Sequence, residues 1–334
     1  MKYWFKNVAD NIYIYPKSTP RNLILQTRTS DCNSATEKEK TMLNEKEFYQ
    51  YVEANILNYL PEMEGKKVMV QRVKRNNQIS MMGLSIGETK NYLVPVLYLE
   101  IFYRNYLRGQ ELSDTMKDIA RIYRGHQVGF YLDEDKVSDY EHIKKNLFYR
   151  VVNYEKNKEM LKYTPYERFL DLAVTYRWAA YRNHDGMASA LVRNKELLLW
   201  GVTKEQMMKD AKENTEKIFP PVMRKIQSVI PVKITDMEIP LFVLSNGDYM
   251  NGASVMLYKD PLRDFANYMG HDLYILPSSI HEVILLLDDE YVQSSEELRE
   301  MVRETNRMVV DQEEVLSDHI YHYDREKDEI RIAK

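Results

Sequence analysis

A single cysteine, Cys32, among 334 residues excludes an internal disulfide framework and agrees with a reducing compartment, so a cytoplasmic setting is expected. Glycine is also scarce, with 11 residues against a usual share of about 7%. Neither GxGxxG nor GxxxxGKS/T occurs, which argues against a phosphate cradle of close-set glycines. No run of 18 apolar residues exists, and the first ten residues lack the uninterrupted apolar core of a signal peptide. Neither membrane insertion nor export is expected. Positive charge is not in excess either. With 47 Lys and Arg against 51 Asp and Glu, the net charge of −4 supplies no global field for a polyanion, and nucleic acid is disfavoured as a partner.

What is present is an ordinary globular balance, 44% hydrophobic and 29% charged, which predicts a folded chain long enough for two domains or one large one. The 26 tyrosines suit core edges and sheet faces, although an amphipathic ring also serves interfaces. The basic run Lys66, Lys67, Arg72, Lys74 and Arg75 is local and is read as the solvated face of a hairpin.

Residues 27–41 form a polar tract with too little apolar surface to offset chain entropy. Residues 1–41 are therefore expected to be a poorly ordered extension and linker, followed by an N-terminal α/β lobe over 42–135 and a C-terminal α+β lobe over 136–334. Asn44 is a plausible helix cap preceding Phe48, Val52 and Ile56 at helical spacing. Two strand-like runs flank Asn76-Asn77, a pair suited to a turn with positive φ. A third strand over 94–99 and a helix stopping at Gly109 come next. Ser113 is then expected to cap a helix carrying Met116, Ile119, Ala120 and Tyr123.

Residues 147–152 fit strand or helix equally. Thr164-Pro165-Tyr166-Glu167 predicts a capped helix start. Alternation at Leu172, Val174, Tyr176 and Trp178 with Asn183-His184-Asp185-Gly186 predicts a second hairpin. Thr203 opens another helix. From Leu241 the expected order is strand, Asn246-Gly247 turn, strand, helix over Leu262, Phe265, Ala266 and Met269, then strand. A helix capped at Ser294 with Leu298, Met301 and Val302 and a terminal hairpin at Asp324-Arg325 close the chain. The mixture predicts an α+β fold with mixed antiparallel sheets, hairpins and packed helices.

Several of these segments carry a family resemblance. Asn153-Tyr-Glu-Lys-Asn157, Phe169-Leu-Asp-Leu-Ala173, Trp200-Gly-Val-Thr203, Ala211-Lys-Glu-Asn-Thr215 with Phe219-Pro-Pro221, the stretch 273–284, Val315-Leu-Ser-Asp318 and Tyr323-Asp-Arg325 occur in one order. The chain from about Asn44 onward resembles the bacterial domain-of-unknown-function family 5688. The resemblance implies no activity, substrate or cofactor and carries no catalytic residue over. Residues 1–41 have no counterpart in its pattern.

The densest polar cluster is Pro277-Ser-Ser-Ile-His-Glu282, between two apolar runs. If it is extended, Ser279 and His281 face one side while Ser278 and Glu282 face the other, so no Ser-His-Glu relay forms among them. If Ser279 caps a helical turn, Glu282 completes a capping box. Ser278, Ser279, His281 and Glu282 are the catalytic candidates, and the loop is expected at a sheet edge. Asn251, Gly252 and Ser254 form a small-residue step where backbone amides can approach a ligand, or else a tight turn. Asp171 and Glu100 are isolated acids beside apolar residues.

His271 at a helix end suits capping. His319 and His322 would face opposite sides of a strand, so no shared metal is expected. No cofactor is implied. A protein partner and a small ligand both stay open, as does a hydrolase-like chemistry at His281 beside the leading reading of a binding module.

Overall fold

The computed structural model describes residues 12–16, 42–87, 96–127, 137–182, 186–228, 240–277, 279–289 and 294–334. Within residues 1–41 the described part is Ile12–Pro16, a strand, β1. The hairpin tip expected at residues 183–185 lies outside the described residues. The chain divides into two compact units. One takes its described residues from Arg21–Val73 and Met81–Phe130, the other from Asn11–Pro20, Lys74–Ser80 and Tyr131–Lys334.

In the first unit Asn44 caps the helix Glu45–Asn55. Its side chain accepts from the Glu47 amide while Glu47 accepts from the Asn44 amide. Strands β2 (Lys67–Lys74), β3 (Ser80–Gly87) and β4 (Leu97–Tyr98) form a sheet in that order. Phe48, Val52, Ile56, Leu84, Ile86, Phe102, Met116, Ile119 and Tyr123 share one buried cluster. The helix bearing the last three begins at Leu112 rather than after Ser113, and its first turn closes as the Thr115 amide donates to the Glu111 carbonyl. Tyrosine serves the core here: Tyr103 and Tyr106 lie against the Phe48 ring, and the Tyr123 hydroxyl meets both backbone groups of Ile86. Glu100 accepts from the Met82 amide, a structural role for that candidate acid.

The second unit contains two antiparallel sheets, and the fold is α+β. In one sheet β7 (Leu172–Arg182) pairs over Leu172–Trp178 with β5 (Leu147–Asn153), while β6 (Tyr166–Phe169) pairs with its first part and β8 (Gly186–Leu191) with its second; β1 continues the sheet beyond β8. Every residue of β5 is buried, which resolves the strand-or-helix ambiguity of that run. The predicted helix at Thr164-Pro165 is instead β6. Thr164 donates to the Met160 carbonyl, and the Glu167 carboxylate accepts from the Tyr176 hydroxyl and pairs with Lys212, so partners distant in sequence override the local cap.

The other sheet runs β14-β13-β11-β12-β10-β9, with β9 at Pro221–Lys225, β10 at Phe242–Asn246, β11 at Leu273–Leu276, β12 at Val283–Leu287, β13 at Tyr321–Asp324 and β14 at Glu329–Ile332. The helix Pro261–Met269 buries Leu262 and Ala266 and sets the Phe265 ring edge-on to Phe242 of β10, 4.8 Å between centroids. The expected strand after Asn246-Gly247 is a 3-10 helix, Gly252–Leu257, entered through a left-handed Asn251 at φ 53°. The capping box at Ser294 forms as predicted, but Met301 is exposed while Leu298 and Val302 are buried.

A set of amides ties the turn over residues 74–80 to the rest of this unit. Asn77, left-handed at φ 56°, exchanges hydrogen bonds with Asn157: its amide donates to Asn157 Oδ1 and Asn157 Nδ2 donates to Asn77 Oδ1, both at 3.0 Å. Asn77 Nδ2 also donates to the Gln312 and Val315 carbonyls at 2.8 Å, Asn76 Nδ2 to the Glu313 carbonyl at 2.7 Å, and Asn153 Nδ2 to the Leu316 carbonyl at 3.0 Å. An asparagine suits this place because it tolerates the left-handed backbone and its amide can satisfy buried carbonyls. Asn77→Ala is expected to lower stability by about 2–4 kcal/mol in urea melts, through lost buried hydrogen bonds and backbone strain, with Asn77→Gly recovering about 1 kcal/mol of it. A cost below about 0.5 kcal/mol for Asn77→Ala would contradict this account of the turn.

Candidate functional site

The two polar segments singled out in the sequence, 251–254 and 279–282, lie against each other. The loop holding Ser279 to Glu282 joins β11 to β12, two interior strands of the six-stranded order, not a sheet edge. Inside it the Ser279 hydroxyl donates to Glu282 Oε1 at 2.8 Å and accepts from the His281 amide at 3.0 Å. This pairing is neither an extended strand nor a helix cap, but it holds the loop closed and occupies both side chains. Ser278 lies outside the described residues.

Gly252 makes the approach between the segments feasible. A Cβ at this position would collide with Ser245 Oγ and the His281 carbonyl and would come within 2.8 Å of the Asn246 amide nitrogen. Two hydrogen bonds then join the segments, Ala253 amide to Ile280 carbonyl at 3.2 Å and Asn251 amide to His281 Nδ1 at 3.3 Å, and the Ser245 hydroxyl of β10 donates to the His281 carbonyl at 2.7 Å. The Ser254 hydroxyl donates to the Asn251 carbonyl. Gly252 and Ser254 therefore shape the site, while Asn251 touches the imidazole.

A backbone N–H can only donate, so His281 Nδ1 is the unprotonated nitrogen and Nε2 carries the hydrogen. Nε2 faces Glu314 Oε1 at 3.4 Å, and both side chains are largely buried. Glu314 is held in place as its carbonyl accepts from the Ile280 amide at 2.8 Å and its amide donates to the Asp311 carbonyl at 2.7 Å. Arg150, on the fully buried strand β5 and only 3% exposed, reaches Asn251 Oδ1 through Nη1 at 3.4 Å. Arg75 pairs with Glu313 at 2.9 Å. Arg75, Asn76, Arg150, Ile280, His281, Glu313 and Glu314 line a cleft with about 300 Å³ of atom-free space, part of it open solvent.

Sequence reasoning found His281 and Asn251 but missed Arg75, Arg150, Glu313 and Glu314. Of the basic run expected on a solvated hairpin face, Lys67, Arg72 and Lys74 of β2 are exposed, whereas Arg75 is half-buried against Glu313. A signal for Arg150 existed: a cation inside a run of apolar residues that cannot reach water must have a built partner. Among the candidate acids, Asp171 accepts from the Ser317 and Tyr321 hydroxyls at 2.6 and 2.8 Å. Burial, with the Asp171 charge beside it, pushes the Tyr321 hydroxyl well above the ordinary tyrosine range, so the hydroxyl keeps its proton and the trio is a structural brace.

His271 does not cap the preceding helix, whose end is closed by left-handed Gly270. The His271 ring instead lies 3.4 Å from the Asp288 carbonyl. The described residues that come together with metal-ligating atoms are Asp272, Asp288 and His322, at the opposite end of β11 and β12 from the 279–282 loop.

The fold is α+β, and the cleft lies on its second unit. A family model matches residues 45–325, and the chain belongs to that family, described as a family of unknown function, DUF5688. No curated protein and no solved structure matches the chain.

Two substitutions test the geometry. Gly252→Ala is expected to destabilise by about 3 kcal/mol, because the colliding atoms include backbone that cannot rotate away. Ser279→Ala should cost about 0.5–2 kcal/mol through its lost loop hydrogen bonds. Chemical denaturation reads both, and a neutral Gly252→Ala would contradict the close approach.

Proposed function

We propose that the second unit is a binding module whose His281 cleft takes a small polar ligand carrying both an acid group and a hydrogen-bond donor, of which a free amino acid is the simplest instance. The observation that carries this reading is the lining itself, with two guanidiniums, an imidazole and two carboxylates around one small cleft. Such a set complements a zwitterion better than a simple anion or an apolar molecule.

The hydrolase-like alternative finds less support. A general base needs a ring nitrogen within reach of a nucleophile. The His281 nitrogens face the Asn251 amide and Glu314, and the nearby hydroxyls of Ser245, Ser254 and Ser279 donate to His281 O, Asn251 O and Glu282. A reducing, cytoplasmic setting belongs to the same reading, on the strength of the single cysteine. Among the described residues no helix is long and apolar enough to cross a membrane.

Thermal melts of the full chain against a panel of free amino acids and small carboxylates test the proposal. A true ligand at 100 times its Kd should add about 2.7 kcal/mol of stability. That gain should vanish in His281→Ala and Glu314→Gln. A panel that leaves every melt unchanged, with no small molecule retained by the freshly isolated protein in native mass spectrometry, would overturn it.

A further inference from the structure

We infer that Asp272, Asp288 and His322 form a binding site for a divalent transition-metal ion, separate from the His281 cleft. Antiparallel register creates the cluster. Leu273 pairs with Leu287, so the residues flanking that pair, Asp272 before β11 and Asp288 after β12, meet at the same sheet end, and the Asp288 amide donates to the Asp272 carbonyl at 2.8 Å. On the other side of β11, Tyr274 pairs with His322 of β13 and its ring stands edge-on to the imidazole, 5.3 Å between centroids.

The imidazole Nε2 lies 2.9 Å from Asp288 Oδ2 and 3.8 Å from Asp272 Oδ2, and one ligand atom from each residue falls within 4.8 Å of the others. The His322 side chain is 8% exposed, and its Nδ1 is buried with no hydrogen-bond partner in the protein, so its polar engagement is at the two carboxylates. The carboxylates themselves are about one-third exposed, which leaves an entry path for an ion.

The electrostatics favour a cation. With no ion, a hydrogen on Nε2 could satisfy Asp288 but not also Asp272, so two carboxylate oxygens crowd one nitrogen; an ion would instead take the Nε2 lone pair, the imidazole keeping its one proton on Nδ1, and would offset the repulsion between the carboxylates. Asp272 is oriented through its other oxygen, which accepts from the Arg325 amide at 3.0 Å. Arg331, paired across from His322 on β14, is the cation nearest in register. One imidazole with two carboxylates is a nitrogen and oxygen donor set suited to Zn²⁺ or Mn²⁺, with remaining positions open to water.

The test uses chelator-treated full-length protein titrated with Zn²⁺, Mn²⁺ and Mg²⁺ alone, read by calorimetry and thermal melts. Saturable binding of Zn²⁺ or Mn²⁺ with a Kd at or below about 0.1 mM is expected. Asp272→Asn and Asp288→Asn, which keep size and hydrogen-bonding capacity at partly exposed positions, should each weaken it at least about tenfold, while His281→Ala leaves it unchanged. Absence of saturable binding, or an affinity in both asparagine variants unchanged from that of the unsubstituted protein, overturns the inference.

Discussion

The second unit depends on one close approach, that of Gly252 to the backbone around Asn246 and His281. Without a side chain at this position, the 3-10 helix Gly252–Leu257 can lie against the end of β10 and the β11–β12 loop. The Asn251 amide thereby arrives at the imidazole and selects its tautomer. A larger residue would push these elements apart, and the cleft would lose the wall that orients His281.

The opposite wall is held by amides. Asn76, Asn77 and Asn153 all donate to carbonyls of residues 312–316, and Asn157 braces Asn77 from the side. Carbonyls in an irregular buried segment would otherwise lack partners, at a cost of roughly 1–3 kcal/mol each. Asn306 extends the same arrangement, donating to the Ser317 carbonyl and to Asp318. The segments Asn153 to Asn157, Phe169 to Ala173 and Val315 to Asp318 thus meet physically: the first through its amides, the second through Asp171 on Ser317 and Tyr321, the third as the segment being held. Their polar residues brace the structure around the cleft rather than filling it.

Periodic elements were legible in the sequence. The caps at Asn44, Thr203 and Ser294, the helical face from Met116 to Tyr123, and the β11–loop–β12 plan all follow from local chemistry. Local rules failed where a distant partner outcompeted them. Thr164-Pro165 has the signature of a helix start, yet β7 offers a strand to pair with. Residues 252–257 have the apolar look of a strand, yet the left-handed Asn251 and the contact at Gly252 coil them. His281 and Asn251 could be singled out as polar groups amid apolar runs. Their partners could not, because Arg75, Arg150 and Glu314 reach the cleft from a turn, a buried strand and a loop far apart in the chain, and no spacing rule links such positions.

The cleft is organised before any ligand arrives, with His281 locked between the Asn251 amide and Glu314. Nitrogen-15 spectroscopy of the His281 ring in the full chain tests this most directly. A single tautomer is expected, with the hydrogen on Nε2 and Nδ1 accepting from the Asn251 amide. A ring protonated at Nδ1, or one exchanging between tautomers, would contradict it.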